Sequence, residues 1–432
     1  MAPWRSSGRP WRLLLRLVCV VGMTGCGGVR DGVPDVVVRD SAGVVVQEFT
    51  ADLLDGVPSL QLPVEPEVRI GVVQGAPEYQ WTRPVAGTRL SDGNFAVVEQ
   101  NPAEVRIFDP SGRFVTRMGK DGDGPGEFRS PTEIAALPGD TLLIWDRRAQ
   151  RLTWFSPSGV LERELTVREP GGILSPRHVA LSSRGVVALG STSSVEDLAN
   201  QGKIRDAWQI VSVGPEGEAG LVLGSVPGAE RDIAVQGSGA EIVSVNVRGR
   251  WWWGEGFAWA STRGVWTADR LTLEARHFDA ETGLDRIIRI SAEHRPFTPA
   301  LIDSLHQLEL DRAADPEMRA LWEADFEGRE YPESVPPVAS VFADAVGRAW
   351  IGLTDPPPER LPSGEHVGVR RWAVFQEQEG VTEAGTAMEF VGVLRLPPRS
   401  HPLFADGEGL LLVRNDEQFD VAYVEWFPFV DR

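Results

Sequence analysis

The sequence predicts an all-β chain folded as a six-bladed β-propeller with a small helical insertion. Three observations point there: a repeat of 47 residues, short apolar runs bounded by turn residues, and 46 glycines and 32 prolines in 432 residues. Glycine and proline punctuate a chain, so their abundance favours turn-rich β architecture over a helical bundle.

The repeat is gapless. Pro84-Val-Ala-Gly-Thr-Arg-Leu90 falls over Pro131-Thr-Glu-Ile-Ala-Ala-Leu137, and Phe95-Ala-Val-Val98 falls over Leu142-Leu-Ile-Trp145. Glu99 falls over Asp146, Val105-Arg-Ile-Phe108 over Leu152-Thr-Trp-Phe155, and Pro110-Ser-Gly112 over Pro157-Ser-Gly159. Each copy reads as four short strands. A proline opens the first, and a turn leads to a continuous apolar strand of the kind covered on both faces. A second apolar strand follows, then an Asp/Ser-Pro-Ser-Gly turn and a last strand. Four strands joined by hairpin turns make one propeller blade. Weaker copies open near Pro176, Phe257, Pro337 and His401, giving six. Of the valine-rich segments 36–49 and 67–73, one is expected to enter the last blade and close the ring, removing exposed edge strands.

Residues 122–131, GDGPGEFRSP, link the first two copies. A phosphate-binding loop would need Lys-Ser or Lys-Thr before a helix, and neither follows. A calcium loop would need an oxygen ligand at its fifth position, where Pro125 stands. The remaining role is geometric. Glycines permit positive φ, Pro125 fixes its own φ, and Phe128 inserts between sheets. These residues, with the Asp146…Arg151 strand start and Phe155-Ser-Pro-Ser-Gly159, resemble the NHL-type six-bladed β-propellers over 84–167. Asp40-Ser-Ala-Gly43 followed by valines is similar to the opening of bacterial six-bladed lipoproteins of unassigned function. In calcium-dependent lactonases of similar shape, the resemblance implies carboxylates and amides at the channel.

The insertion is expected at about 296–330. Thr298-Pro299 can cap a helix with Leu301, Ile302, Leu305 and Leu308 on one side. Asp315-Pro316 can cap another with Met318, Leu321, Trp322 and Phe326.

Residues 1–25 read as a lipoprotein signal peptide: Arg5, Arg9, Arg12 and Arg16 precede or enter a short apolar run ending in Met23-Thr24-Gly25-Cys26. Cys26 is the expected lipidation site, residues 26–34 a tether, and 35–432 the propeller. Past the leader Cys26 is the only cysteine, so no intramolecular disulfide and no cysteine-based metal site is expected. Without the leader, 39 basic residues face 62 acidic ones. That balance argues against nucleic acid as a partner. The membrane partner is expected only through the N-terminal lipid, at the periplasmic or cell-surface side. Gly27, in place of the aspartate of inner-membrane retention, favours the outer membrane. The protein is expected to be a monomer.

Candidate chemistry is sparse. Counting two places past the opening proline puts Glu133 and His178 at the channel mouth on adjacent blades. They could serve as a base and its orienter, or form a structural ion pair. His294 and His306 are expected at the surface. Arg250, Trp251, Trp252 and Trp253 could bind a ligand through aromatic stacking and cation–π contact. Three consecutive tryptophans cannot share one strand face, so one is expected to be exposed or to lie under a loop. No cofactor or metal is expected. The functional expectation is a lipid-anchored, non-catalytic binding module for a protein, peptide or glycan. The alternatives are a lactonase-like hydrolase or lyase working in the channel, and an envelope assembly scaffold.

Overall fold

The computed structural model describes residues 36–431, except 56–59, 168, 174–175, 183, 193–202, 237–243, 250–253, 294, 312, 314, 355–370, 379–386 and 417–420. The chain divides into two units, residues 1–33 and 34–432. The second is a six-bladed β-propeller. Its inner strands are Pro84–Arg89, Pro131–Ala136, His178–Ser182, Gly256–Ala260, Val338–Ala343 and Ser400–Ala405, each starting one sheet.

Blades one and two reproduce the 47-residue repeat. Blade one adds Phe95–Gln100, Ala103–Phe108 and Phe114–Met118; blade two adds Leu142–Asp146, Arg151–Phe155 and Leu161–Thr166. The second strands are buried along their length, apart from the terminal Gln100, because neighbouring blades cover both faces. Even the irregularities repeat. Glu99 pairs with Pro84 and Val98 with Ala86, skipping one residue; Asp146 pairs with Pro131 and Trp145 with Glu133, again skipping one.

The crossover between them is a clasp. Gly119, Gly122 and Gly126 have φ of 73°, 152° and 72°, a region that suits glycine. A Cβ on Gly119 would stand 2.3 Å from the Phe128 ring. Phe128 is fully buried among Met118, Leu142 and Phe155. The Phe128 N–H donates to Lys120 O (2.8 Å) and Gly122 N–H to Phe128 O (2.9 Å). Asp121 Oδ1 accepts from Ala103 N–H at 3.1 Å, and Asp123 pairs with Arg129. The acids of this crossover are thus engaged with the protein itself.

Ring closure uses Val68–Ile70, which forms the outer strand of blade six against Ala422–Pro428. Val68 and Ile70 are buried, and between them Arg69 Nε meets the buried Glu425 carboxylate at 2.6 Å. The other valine-rich segment widens blade four. Val36–Ser41 and Val44–Thr50 form a hairpin, and the second of these pairs in parallel with Gly283–Ser291. Its Gln47 is buried and bridges to blade five: Nε2 donates to Met388 O (2.9 Å), and Oε1 accepts from Met388 N–H (2.5 Å). Blade four therefore has six strands in its sheet, and blade three has five.

Two helices, Pro299–Leu310 and Pro316–Phe326, lie between blades four and five in the chain. Thr298 Oγ1 accepts from Leu301 N–H and Asp315 Oδ1 from Met318 N–H, as N-caps do. Leu301 and Leu305 pack against Val335 and Phe297. On the second helix Met318 and Leu321 remain exposed. His306 is half-buried: its ring stacks on Phe326 with centroids 4.0 Å apart, and Nε2 lies 2.9 Å from the Tyr331 hydroxyl. No helix among the described residues is long and apolar enough to cross a membrane.

Candidate functional site

The six inner strands converge on a cavity of about 280 Å³. Each blade contributes to its wall: Ala86 and Thr88, Glu133 to Leu137, Leu181 and Ser182, Trp259 to Thr262, Ala343 to Ala345, and Leu403 with Phe404. Most of this wall is apolar or backbone, so its few polar side chains stand out.

Glu133 is one of them. It sits half-buried beside the repeated strand irregularity. No hydrogen bond or ion pair reaches its carboxyl from the described residues. Burial pushes that carboxyl up to about 8, against the pull of the nearby Arg147 guanidinium. His178 opens the inner strand of the next blade, with its ring 5.7 Å from that of Trp208. Burial lowers it to about 4, helped by Arg177 and Arg147. No hydrogen bond joins Glu133 to His178, and His178 is not part of the cavity wall. Sequence reasoning placed the two on adjacent blades; the structure does not couple them as base and orienter. Arg250, Trp251, Trp252 and Trp253 lie outside the described residues, as do Cys26 and His294.

A second polar group on the wall lies in blade four. Ser261 follows the inner strand and is 6% exposed. Its Oγ lies 2.7 Å from His277 Nε2, and His277 Nδ1 lies 2.6 Å from Asp285 Oδ1. His277 belongs to the strand Glu274–Asp279 and Asp285 to Gly283–Ser291, so three chain segments supply the three groups. His277 pairs across the ladder with Trp266, whose ring lies 5.0 Å from the imidazole. The other Asp285 oxygen accepts from Arg263 Nη2 at 3.1 Å. Ser261 Oγ also accepts from Gly264 N–H (3.0 Å) and Arg263 N–H (3.4 Å), which closes the turn into the next strand.

This constellation was not singled out from the sequence. Its members stand 16 and 8 residues apart, which is no motif. Only strand pairing brings them together. A third wall residue, Asp344, closes the equivalent turn in blade five by accepting from Arg348 N–H (2.7 Å), Val346 N–H (3.2 Å) and Trp350 Nε1–H (3.0 Å). Burial raises its carboxyl, against the attraction of Arg348. No group of three or more His, Cys, Asp or Glu side chains among the described residues is arranged to hold a metal ion.

A family described as "6-bladed beta-propeller" matches residues 85–165, which are blades one and two. No curated protein matches the chain. Solved structures match in outline. A catalytically inactive variant of virginiamycin B lyase from Staphylococcus aureus, with quinupristin, is 8% identical, covers 82% of this chain and 97% of its own, and has a TM-score of 0.37. A calcium-binding protein, regucalcin, from Agrobacterium tumefaciens is 14% identical over 84% of this chain and 97% of its own, with a TM-score of 0.38. A protein of unknown function from Bacteroides caccae is 15% identical over 42% and 55%, with a TM-score of 0.25. At these values the likenesses carry no argument about ligand or chemistry.

Proposed function

We propose that this chain is a lipid-anchored propeller of the cell envelope that binds a protein, peptide or glycan, with the tip of the ligand in the central channel. The observation that carries the reading is Glu133: a carboxyl with no partner among the described residues, on the wall of a cavity to which all six inner strands contribute. A carboxyl raised to about 8 is protonated at neutral pH. It then offers one donor and retains acceptor capacity. Such a group suits neutral hydroxyls and amides, which glycans and peptides carry, better than it suits ions. A small concave site with few polar groups on an apolar wall fits specific recognition of this kind. Lipidation at Cys26 supplies the attachment, and residues 26–34 the tether, on the periplasmic or outer face.

Glycan and peptide arrays probed with the full chain test the binding. Ligands captured by the wild type should be lost with Glu133→Ala and retained in part with Glu133→Gln, which keeps a donor. Captured ligands indifferent to Glu133→Ala would place binding elsewhere. Mass spectrometry of the membrane fraction tests the anchor: a diacylglyceryl group on Cys26 is expected, and an unmodified secreted chain would refute it.

A further inference from the structure

We infer that Ser261, His277 and Asp285 form a nucleophilic triad on the channel wall that cleaves short-chain carboxylic esters. The inference rests on the channel admitting a ligand, as proposed above, and adds a reaction to it.

The polarity of the relay is set by what each group can do. Ionised Asp285 can only accept, so the hydrogen between it and His277 resides on Nδ1. In the neutral imidazole Nε2 is then a base, and it lies 2.7 Å from Ser261 Oγ. A serine bonded to a base that a third group orients is recognised by these roles rather than by spacing in the chain. Arg263 occupies the remaining oxygen of Asp285, and Trp266 covers the imidazole, so the ring has a fixed plane. Ser261, 6% exposed, is among the residues that line the cavity.

A purely structural role would need less. The turn after the inner strand needs an acceptor for its N–H groups. Blades five and six supply it with carboxylates, Asp344 and Asp406. Blade four uses a hydroxyl, and behind that hydroxyl stand an imidazole and a carboxylate that turn closure does not require. Of the two N–H contacts at Oγ, that from Arg263 is the longer at 3.4 Å, and the lone pair it meets is the one that attack requires.

The wall and volume set the substrate class. Leu137, Leu181, Leu403 and Phe404 line a space of about 280 Å³, which suits a short acyl chain. Oγ attacks the ester carbonyl carbon while its proton passes to Nε2. The bond from that carbon to the alcohol oxygen breaks, and the alcohol leaves with the proton. Water then attacks the acyl-serine in the same manner, releasing the carboxylic acid and restoring Ser261.

Diisopropyl fluorophosphate on the folded full chain tests this without a known substrate. Oγ displaces fluoride from phosphorus and leaves a stable adduct. One adduct per chain is expected, mapped by peptide mass spectrometry to Ser261 and absent from Ser261→Ala. Labelling should slow about a hundredfold or more with His277→Gln and Asp285→Asn. Ser158→Ala should label like the wild type. Hydrolysis of p-nitrophenyl butyrate should follow the same order. A folded wild type that takes no adduct at Ser261, or takes it at a rate indifferent to His277→Gln and Asp285→Asn, overturns the inference. Labelling at Ser261 in a protein whose arrays capture nothing would uphold the triad and remove the binding reading; the converse result would do the opposite.

Discussion

Blades one and two use carboxylates in two opposite ways, depending on distance from the channel. Near the end of each second strand a fully buried acid gathers backbone donors. Glu99 accepts from Thr82, Arg83 and Asn101 N–H at 2.8–2.9 Å. Asp146 accepts from Arg129, Ser130, Arg148 and Ala149 N–H at 2.6–3.1 Å. Each acid fastens the incoming crossover to the following turn. At the channel edge of blade two, Glu133 has no such donors among the described residues. The fastening acids recur in the repeat, while Ala86 stands where Glu133 does. The difference separates architecture from site: groups that hold the blades together are satisfied by backbone, and the group that faces the cavity is left for something else to meet.

The contrast can be broken or sharpened by measurement. The largest effect is expected from Asp146→Ala, which removes the shared acceptor of four backbone N–H groups and should cost about 3–5 kcal/mol in urea unfolding. A smaller loss than that of Glu133→Ala would end the contrast. Ile70→Ala, at the ring closure, should cost about 2–4 kcal/mol through the cavity it leaves. Next comes a pH effect. The Glu133 carboxyl is raised from its unfolded value to about 8, so the folded state holds an extra proton between about pH 4.5 and 8. Its contribution is full at the acid end of that window and is lost as pH rises through it. Glu133→Gln should flatten this decline by on the order of 3 kcal/mol, read from unfolding curves at pH 5 and 8.5. The smallest effect belongs to His178, lowered to about 4. Here the unfolded chain binds the proton first, so stability falls as pH drops from about 6.5 to 4. His178→Phe should remove that acid-side loss, on the order of 2 kcal/mol at pH 4.5.

Much of this frame was legible in the sequence, and the reason is repetition. Glu99 and Asp146 aligned without a gap because the same backbone donors must be met in both blades. Phe128 and its glycines declared the crossover, since few other residues fit a ring 2.3 Å from a would-be Cβ. Thr298 and Asp315 marked the helix starts because capping is a local interaction. What depended on distant pairing was hidden. Valine content did not tell that Val44–Thr50 would pair in parallel with blade four while Val68–Ile70 closed blade six. Glu133 was singled out by counting from the proline, but its isolation was not visible. Ser261, His277 and Asp285 carried no signal, because the ladder that aligns His277 with Trp266 exists only after folding.

The closing strand has a temporal consequence. Arg69 and Glu425 meet although they are 356 residues apart in the chain. Ordering so long an intervening segment is entropically costly until the other blades are in place. A polypeptide emerging from its N-terminus therefore carries Val68–Ile70 as an orphan strand until Ala422–Pro428 arrives. The seam of the disc is the final stitch, and any truncation that removes Ala422–Pro428 leaves both ends of the ring without a mate.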